Sequence, residues 1–397
     1  MANDCYAAAN RLHQVNFSPV RKVLERANEL AKSGKQIIHF EIGEPDFDTP
    51  KDIVEEVTKA LNVEKLTHYA PNRGVLALRQ AISKQMKDDN GVEFSPDDEI
   101  LITVGAAEAI FDTVMGLVNP EDEVIIFTPA FMNYENCIHM AGATCVKVEL
   151  EQAANYQICE ETLEKAITPR TKMIIVNNPS NPTGTLHRKK GLESIARLAQ
   201  KYNLIVLADE IYEKLLYIDT PFCSLASLPG MKERTVVVNG FSKVYAMTGW
   251  RLGYIAADKR FIPSLLKVHQ YATTCAPTFI QAGLARGMTT EACRKEVAGM
   301  VEVFKQRRNF VMQELDKIDK LSYVPSEAAF YVFINVSKTG LDGTEFATRL
   351  LEEKGVAAVP GAGFGEGCKN FIRISYATSV ESLRAGLALV RELVESL

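Results

Sequence analysis

The sequence predicts an α/β protein: a large domain built on a mainly parallel sheet flanked by helices, joined to a smaller α+β domain. Three observations carry this. The chain, at 397 residues, is too long for one simple core. Up to about residue 260, apolar β-rich runs alternate with helical patterns, as in a parallel sheet whose crossovers are helices. After about residue 290 the pattern changes to a long charged helical stretch, three short strands and an amphipathic last helix. The expected division is residues 46–289 for the large domain, and 1–45 together with 290–397 for the small one.

A helix is expected over 18–33, with apolar Val20, Val23, Leu24, Ala27, Leu30 and Ala31 on one stripe, Ser18 as cap and Pro19 in the first turn. A short apolar stretch, Ile37 to Phe40, leads into a turn-rich segment, 43–50, that ends in a second helix start at Thr49-Pro50. Strands of the main sheet are expected at Ile100–Val104, Val124–Thr128, Lys172–Asn177, Leu204–Ala208 and Thr235–Asn239. Phe330–Ile334, Val356–Val359 and Phe371–Ser375 supply the later strands, and Leu383, Leu387, Val390 and Val394 mark the buried face of the last helix.

With 45 basic and 50 acidic residues the net charge is −5, and no block of one sign suggests a nucleic-acid or anionic membrane surface. Eight cysteines without a Cys-x-x-Cys pair read as reduced thiols. The first six residues lack a charged start before an apolar stretch, and no segment has about 18 uninterrupted apolar residues, so the expectation is a cytoplasmic protein. Six scattered histidines without ligand spacing argue against a metal site.

In open parallel sheets, ligands bind beyond the carboxyl ends of the strands. After Ile100–Val104 comes Gly105-Ala106-Ala107-Glu108, whose small residues open a helix where backbone N–H groups and the helix dipole can meet an anion. The next ends carry Asn177 to Gly184, with Asn181; then Asp209-Glu210-Ile211-Tyr212; then Ser242-Lys243, with Gly249-Trp250-Arg251 close behind. Taken singly, each has an ordinary role: a surface lysine, a capping aspartate, a turn asparagine, a half-buried tyrosine, an ion-paired arginine. Together they put an acid, a phenol, an amide, an amine and a guanidinium beside an anion-binding helix start. That set suits pyridoxal 5′-phosphate, which needs a lysine for its aldehyde, a carboxylate for its ring nitrogen, donors for its phenolic oxygen and a cationic phosphate cradle.

At this point the chain resembles the class I/II aminotransferases, of the fold-type I pyridoxal-phosphate enzymes. The likeness runs through Gly43-Glu44-Pro45-Asp46-Phe47, Tyr69-Ala70-Pro71-Asn72-Arg73-Gly74, Asn181-Pro182-Thr183-Gly184, Asp209-Glu210-Ile211-Tyr212, Ser242-Lys243 with Gly249-Trp250-Arg251, and Phe371-Ile372-Arg373-Ile374-Ser375. The resemblance implies that Lys243 forms the Schiff base and moves the substrate proton, that Asp209 pairs with the pyridine nitrogen, and that Tyr212 and Asn181 bond the phenolic oxygen. It implies a phosphate site made by Ala106, Ala107, Ser242 and Arg251, with Tyr69 reaching it from a neighbouring subunit of a homodimer. Phe131 then stacks on the cofactor, Arg373 clamps the substrate carboxylate with help from the Gly43 backbone, and Trp250 packs beside Arg251.

The sequence departs from the aspartate-specific branches, with Ala107 and Gln270 where those branches carry a lysine or an arginine for the distal carboxylate. The strings at 67–72, 128–131 and 240–243 are closer to the aromatic or broad-specificity branch. The expected activity is amino transfer from an L-amino acid (aromatic, aspartate or a broad range) to a 2-oxo acid such as 2-oxoglutarate, by a ping-pong route. The competing expectation is a carbon–sulfur β-lyase on the same scaffold. A dinucleotide fingerprint at Gly361 fails because Glu366 stands where the third glycine belongs. A regulator that uses this fold as a ligand sensor is not expected, since the short stretch before Ser18 offers no DNA-binding module.

Overall fold

The computed structural model describes residues 8–397; the opening segment, with Cys5, lies outside the described residues. The first helix, α1 (Pro19–Lys32), starts at the expected proline. Ser18 occupies the N-cap position but does not cap: its hydroxyl turns to the sulfur of Met132, 3.3 Å away. A two-residue strand β1 (Ile38–His39) follows, then α2 (Lys51–Asn62) and α3 (Leu76–Asn90).

The main sheet begins at β2 (Ile100–Thr103), followed by α4 (Ala106–Leu117), β3 (Glu123–Thr128), α5 (Asn133–Met140), β4 (Thr144–Glu149), α6 (Glu160–Ala166) and β5 (Thr171–Asn177). It continues with α7 (Lys189–Lys201), β6 (Ile205–Asp209), β7 (Thr235–Gly240) and β8 (Gly253–Ala257). The seven strands lie in the order β2-β8-β7-β6-β5-β3-β4. All five predicted strands are present and mutually parallel in direction. The two that sequence missed are explained by their surroundings. The edge strand β4 is largely polar and half exposed, and β8 begins at a glycine and runs antiparallel to both β2 and β7.

Helices α8 (Ile262–Ala272), α9 (Thr278–Gly287) and the long α10 (Glu291–Leu315) lead out of this sheet. Then come β9 (Ser322–Tyr323), β10 (Tyr331–Asn335), α11 (Gly343–Lys354), β11 (Val356–Ala357), β12 (Val359–Pro360), β13 (Phe371–Ser375) and α12 (Val380–Glu395). The stretch expected as one strand at 356–359 is two: β11 pairs in parallel with β1, while β12 joins the antiparallel sheet β12-β13-β10-β9. Thus a strand of the N-terminal segment is hydrogen-bonded to one of the C-terminal segment.

Strands β2, β3 and β7 are buried at every position, β2 although it lies at the sheet's edge, so both faces read apolar. One core links the strands of the second sheet to α10, α11 and α12, and it also takes in Ile211, Tyr212, Leu215 and Tyr217 from the loop after β6. The site-bearing loop is therefore clamped between the two sheets. The seven described cysteines are unpaired. No described helix is long and apolar enough to cross a membrane.

Candidate active site

A cavity of about 470 Å³ opens where the carboxyl ends of β2, β5, β6 and β7 face β13 and α1. Its lining includes Gly43, Ala106, Ala107, Phe131, Asn181, Asp209, Tyr212, Ser242, Lys243, Arg251 and Arg373. Of the cofactor- and substrate-binding residues expected from the resemblance, Tyr69 alone is not among the lining: it is 86% exposed, on a surface shared with Pro277 and Phe279.

Asp209 ends β6 in register with Asn177 of β5 and Val238 of β7, so the parallel ladder itself fixes its position. It is 4% exposed. One carboxylate oxygen accepts the Tyr134 hydroxyl at 2.6 Å and the other the Ile211 N–H at 3.2 Å. Burial pushes its pKa up to about 6, against the pull of those two donors and of Lys243. The carboxylate is thus poised to take a charged N–H partner, which would restore the solvation it has lost.

Lys243 follows β7, and its Nζ donates to the Gly43 carbonyl at 2.6 Å. Burial lowers its pKa to about 8; Arg373 and Arg251 lower it further, against Glu44 and Asp209. At pH 7 roughly a tenth of such amines are neutral, several hundredfold more than for an ordinary lysine. Glycine at 43 leaves room for the Tyr331 side chain, into whose hydroxyl a Cβ there would run.

Arg251 reaches the same edge because β8 is antiparallel: the start of β8 lies where its neighbours end. It sits in the left-handed region at φ 54°, and its guanidinium comes within 2.6 Å of where a Gly105 Cβ would stand. Gly105, at φ 84°, caps α4, whose first N–H groups at Ala106 and Ala107 have no acceptor within the helix. The guanidinium and the helix N-terminus therefore make one anion cradle, with Ser242 beside it.

Arg373, from β13, is 2% exposed and forms a second anion site. It donates to Asn181 Oδ1 at 3.2 Å and to the Glu41 carbonyl at 2.6 Å, and it lies 4.5 Å from the Tyr331 ring centre. Its Nε has no partner among the described residues. A buried guanidinium with an unused donor awaits an acceptor. Tyr212, 3% exposed, meets the Tyr331 hydroxyl at 3.1 Å. Phe131 is half-buried at the cavity wall, edge-on to Tyr134 with ring centres 5.8 Å apart. Trp250 is partly buried against the apolar core of the sheet, beside Arg251.

Three contributors escaped the sequence reading. Tyr134 and Tyr331 are ordinary aromatics of a helix and a strand; only their buried hydroxyls betray them. Arg21 also lines the cavity, from the first turn of α1. Away from the cavity, Glu108, Asp112 and His269 form a close group between α4 and α8. It is a cluster that histidine spacing could not reveal.

In chemical terms, the cavity offers two anion sites, a partly neutral amine and a buried carboxylate. The chain matches the family described as aminotransferase class I and II over residues 35–388. It is 41% identical over 381 residues to an aspartate aminotransferase of Pyrococcus abyssi, and 39% to aromatic-amino-acid aminotransferase 2 of Thermococcus litoralis, with 96% of each chain covered in both cases. Its fold superposes on the aspartate aminotransferase of Thermus thermophilus with maleate at a TM-score of 0.93 and 36% identity, covering 98% of this chain and 99% of that one. Amino-group transfer is what these relatives share, and nothing among them favours the lyase. The chain with this cavity is an enzyme of the class I and II aminotransferase family.

Proposed function

We propose that the enzyme works with pyridoxal 5′-phosphate and moves an amino group from an L-amino acid, aromatic or of a broad range that includes aspartate, to a 2-oxo acid, foremost 2-oxoglutarate. The observation that carries this is the joint presence of Lys243, Asp209, Arg251 and Arg373 around one cavity. The donor set fits the cofactor: the cradle of Arg251, Ser242, Ala106 and Ala107 suits its phosphate, Asp209 its ring nitrogen, and Tyr212 with Asn181 its phenolic oxygen. When bound, that group supplies an electron sink for the bonds at the substrate Cα.

The protein's own residues do the rest. Arg373, with its free Nε, holds the substrate α-carboxylate and so fixes which Cα bond faces Lys243. The lowered affinity of Lys243 for its proton lets it take the Cα proton as a general base and return it as an acid. Asp209 stays ionised against a cationic partner, with Tyr134 holding its second oxygen. Phe131 and the apolar wall at Ile110 exclude water. The donor binds and leaves before the acceptor enters, in a ping-pong order.

The division into a cofactor-binding part, 46–289, and a smaller part, 1–45 with 290–397, sets Arg373 and α1 on one side of the cavity and Lys243 on the other, so closure of the smaller part is the natural way to sequester substrate. The functional unit is a homodimer, in which the exposed Tyr69 completes the partner's phosphate cradle. The resemblance of the 67–72, 128–131 and 240–243 segments to the broad branch, and the names of both relatives, support a donor range that spans aromatic residues and aspartate.

The test is a donor panel with 2-oxoglutarate. Glutamate should accumulate with aromatic donors; pyruvate and ammonia instead would overturn the transfer reading, and activity confined to aspartate would overturn the branch. Borohydride reduction should leave the cofactor's mass on the peptide containing Lys243, and Lys243→Ala should abolish that adduct.

A further inference from the structure

The cavity carries one more cation than the chemistry above uses. Among its lining residues, Arg21, Lys243, Arg251 and Arg373 stand against a single carboxylate, Asp209. Arg251 belongs to the cofactor phosphate, Arg373 to the substrate α-carboxylate and Lys243 to the reacting carbon. Arg21 is left over. Its side chain has no hydrogen bond or ion pair among the described residues, whereas Arg26 of the same helix is bonded to both Glu29 and Glu352.

The local fold explains why Arg21 faces the cavity. Val20 packs into a small core with Tyr156, Val324, Phe333 and Phe364, which seats the first turn of α1 beside the second sheet. Ser18 is tied to Met132. With Val20 so fixed, Arg21 and Leu24, three residues apart, share the face that lines the cavity. The wall is therefore mixed: the apolar Val20 and Leu24 flank one unpinned guanidinium.

We propose that Arg21 is the specificity residue that reads the distal carboxylate of dicarboxylate substrates, the 2-oxoglutarate and glutamate pair above all. This rests on the amino-transfer reading and deepens it. A ping-pong enzyme must admit donor and acceptor to one cavity in turn, and here the two differ sharply: an aromatic side chain needs a dry wall, whereas a five-carbon dicarboxylate needs a second cation. The positions where aspartate-specific branches place that cation hold Ala107 and Gln270. An exposed arginine at a helix start meets both demands, because its long side chain swings in to pair with a carboxylate and out to leave Val20 and Leu24 against a ring.

The experiment compares wild type, Arg21→Ala and Arg21→Lys as cofactor-loaded enzymes. In Arg21→Ala, kcat/KM for glutamate should fall by on the order of tenfold to a hundredfold, the scale of one lost charge-assisted contact, while kcat/KM for phenylalanine changes by less than about threefold. Arg21→Lys should recover part of the loss. Calorimetric binding of glutarate, a non-reacting dicarboxylate, should weaken in the same order. Equal losses for glutamate and phenylalanine, or none for glutamate, would overturn the assignment, as would unchanged glutarate binding. The binding arm answers independently of turnover; a wild type that binds glutarate through Arg21 but forms no glutamate from any donor would refute the transfer reading alone.

Discussion

At the scale of single residues, the most informative contact is the 2.6 Å hydrogen bond from Tyr134 to Asp209. Burial raises the Asp209 pKa to about 6, and the Tyr134 hydroxyl is the foremost group pulling it back down. Removing that donor in Tyr134→Phe should move the pKa upward, so the acid limb of the pH–rate profile shifts to higher pH while the rate at pH 8 to 9 falls far less. An acid limb left in place would show that Asp209 is held ionised by other groups. Asp209 itself was legible in the sequence because it ends a strand, where the sheet gathers its ligand-binding groups. Tyr134 was not, because a tyrosine in the helix after a strand looks like any half-buried aromatic until its hydroxyl is found against a carboxylate. Arg21 was hidden differently: on a helix whose stripe runs through Val20, Leu24 and Ala27, a charged neighbour reads as solvent-facing.

Among the elements, α4 joins two electrostatic problems. Its N-terminus is the anion cradle, and within two turns it buries Asp112, whose carboxylate oxygens accept no hydrogen bond among the described residues, with His269 Nδ1 3.7 Å away. Burial, then the nearby Glu108 charge, push Asp112 up to about 8. Burial by itself would also raise Glu108, but its hydrogen bonds with His269, the Val104 N–H and Thr273 hold it below the usual carboxylate range. The two acids are thus driven apart, one retaining its proton and one losing it. Because the folded state holds the Asp112 proton more tightly than the unfolded chain, this group's contribution is fully present below about pH 4 and is lost as pH rises through about 8. Asp112→Asn keeps the shape without the charge, so it should flatten that slope and raise the Tm at pH 9, by ~2–4 °C per kcal/mol recovered, with little change at pH 5. Thermal melts across this range decide it; a mutant less stable at pH 9 would mean that the ionised carboxylate is satisfied in solution. The helix and the strands around it were plain from apolar periodicity. The two strands that were missed, β4 and β8, lacked that signal: one lies on a polar edge and the other starts from a glycine beside the catalytic turn.

For the molecule as a whole, the decisive feature is that Tyr69 is exposed and away from the cavity that holds every other candidate residue. In the proposed homodimer each site takes Lys243 from one subunit and Tyr69 from the other, and two-fold symmetry makes this exchange reciprocal. Defects in these two residues should then complement. A Lys243→Ala chain paired with a Tyr69→Ala chain makes one site that carries both lesions and one that carries neither. If subunits reassort at random from an equal mixture, half the dimers are hybrids and each has one intact site, so activity should recover to about a quarter of wild type, above the level of either parent. Co-expression of the two variants under different affinity tags, followed by purification through both, would isolate the hybrid itself, which should show about half the wild-type activity. No recovery above the Tyr69→Ala level would place Tyr69 outside the partner's cradle and leave each chain catalytically self-contained. The outcome bears on substrate choice as well, because a site walled by two subunits can set donor specificity from residues of a second chain, whereas Arg21 acts from within its own.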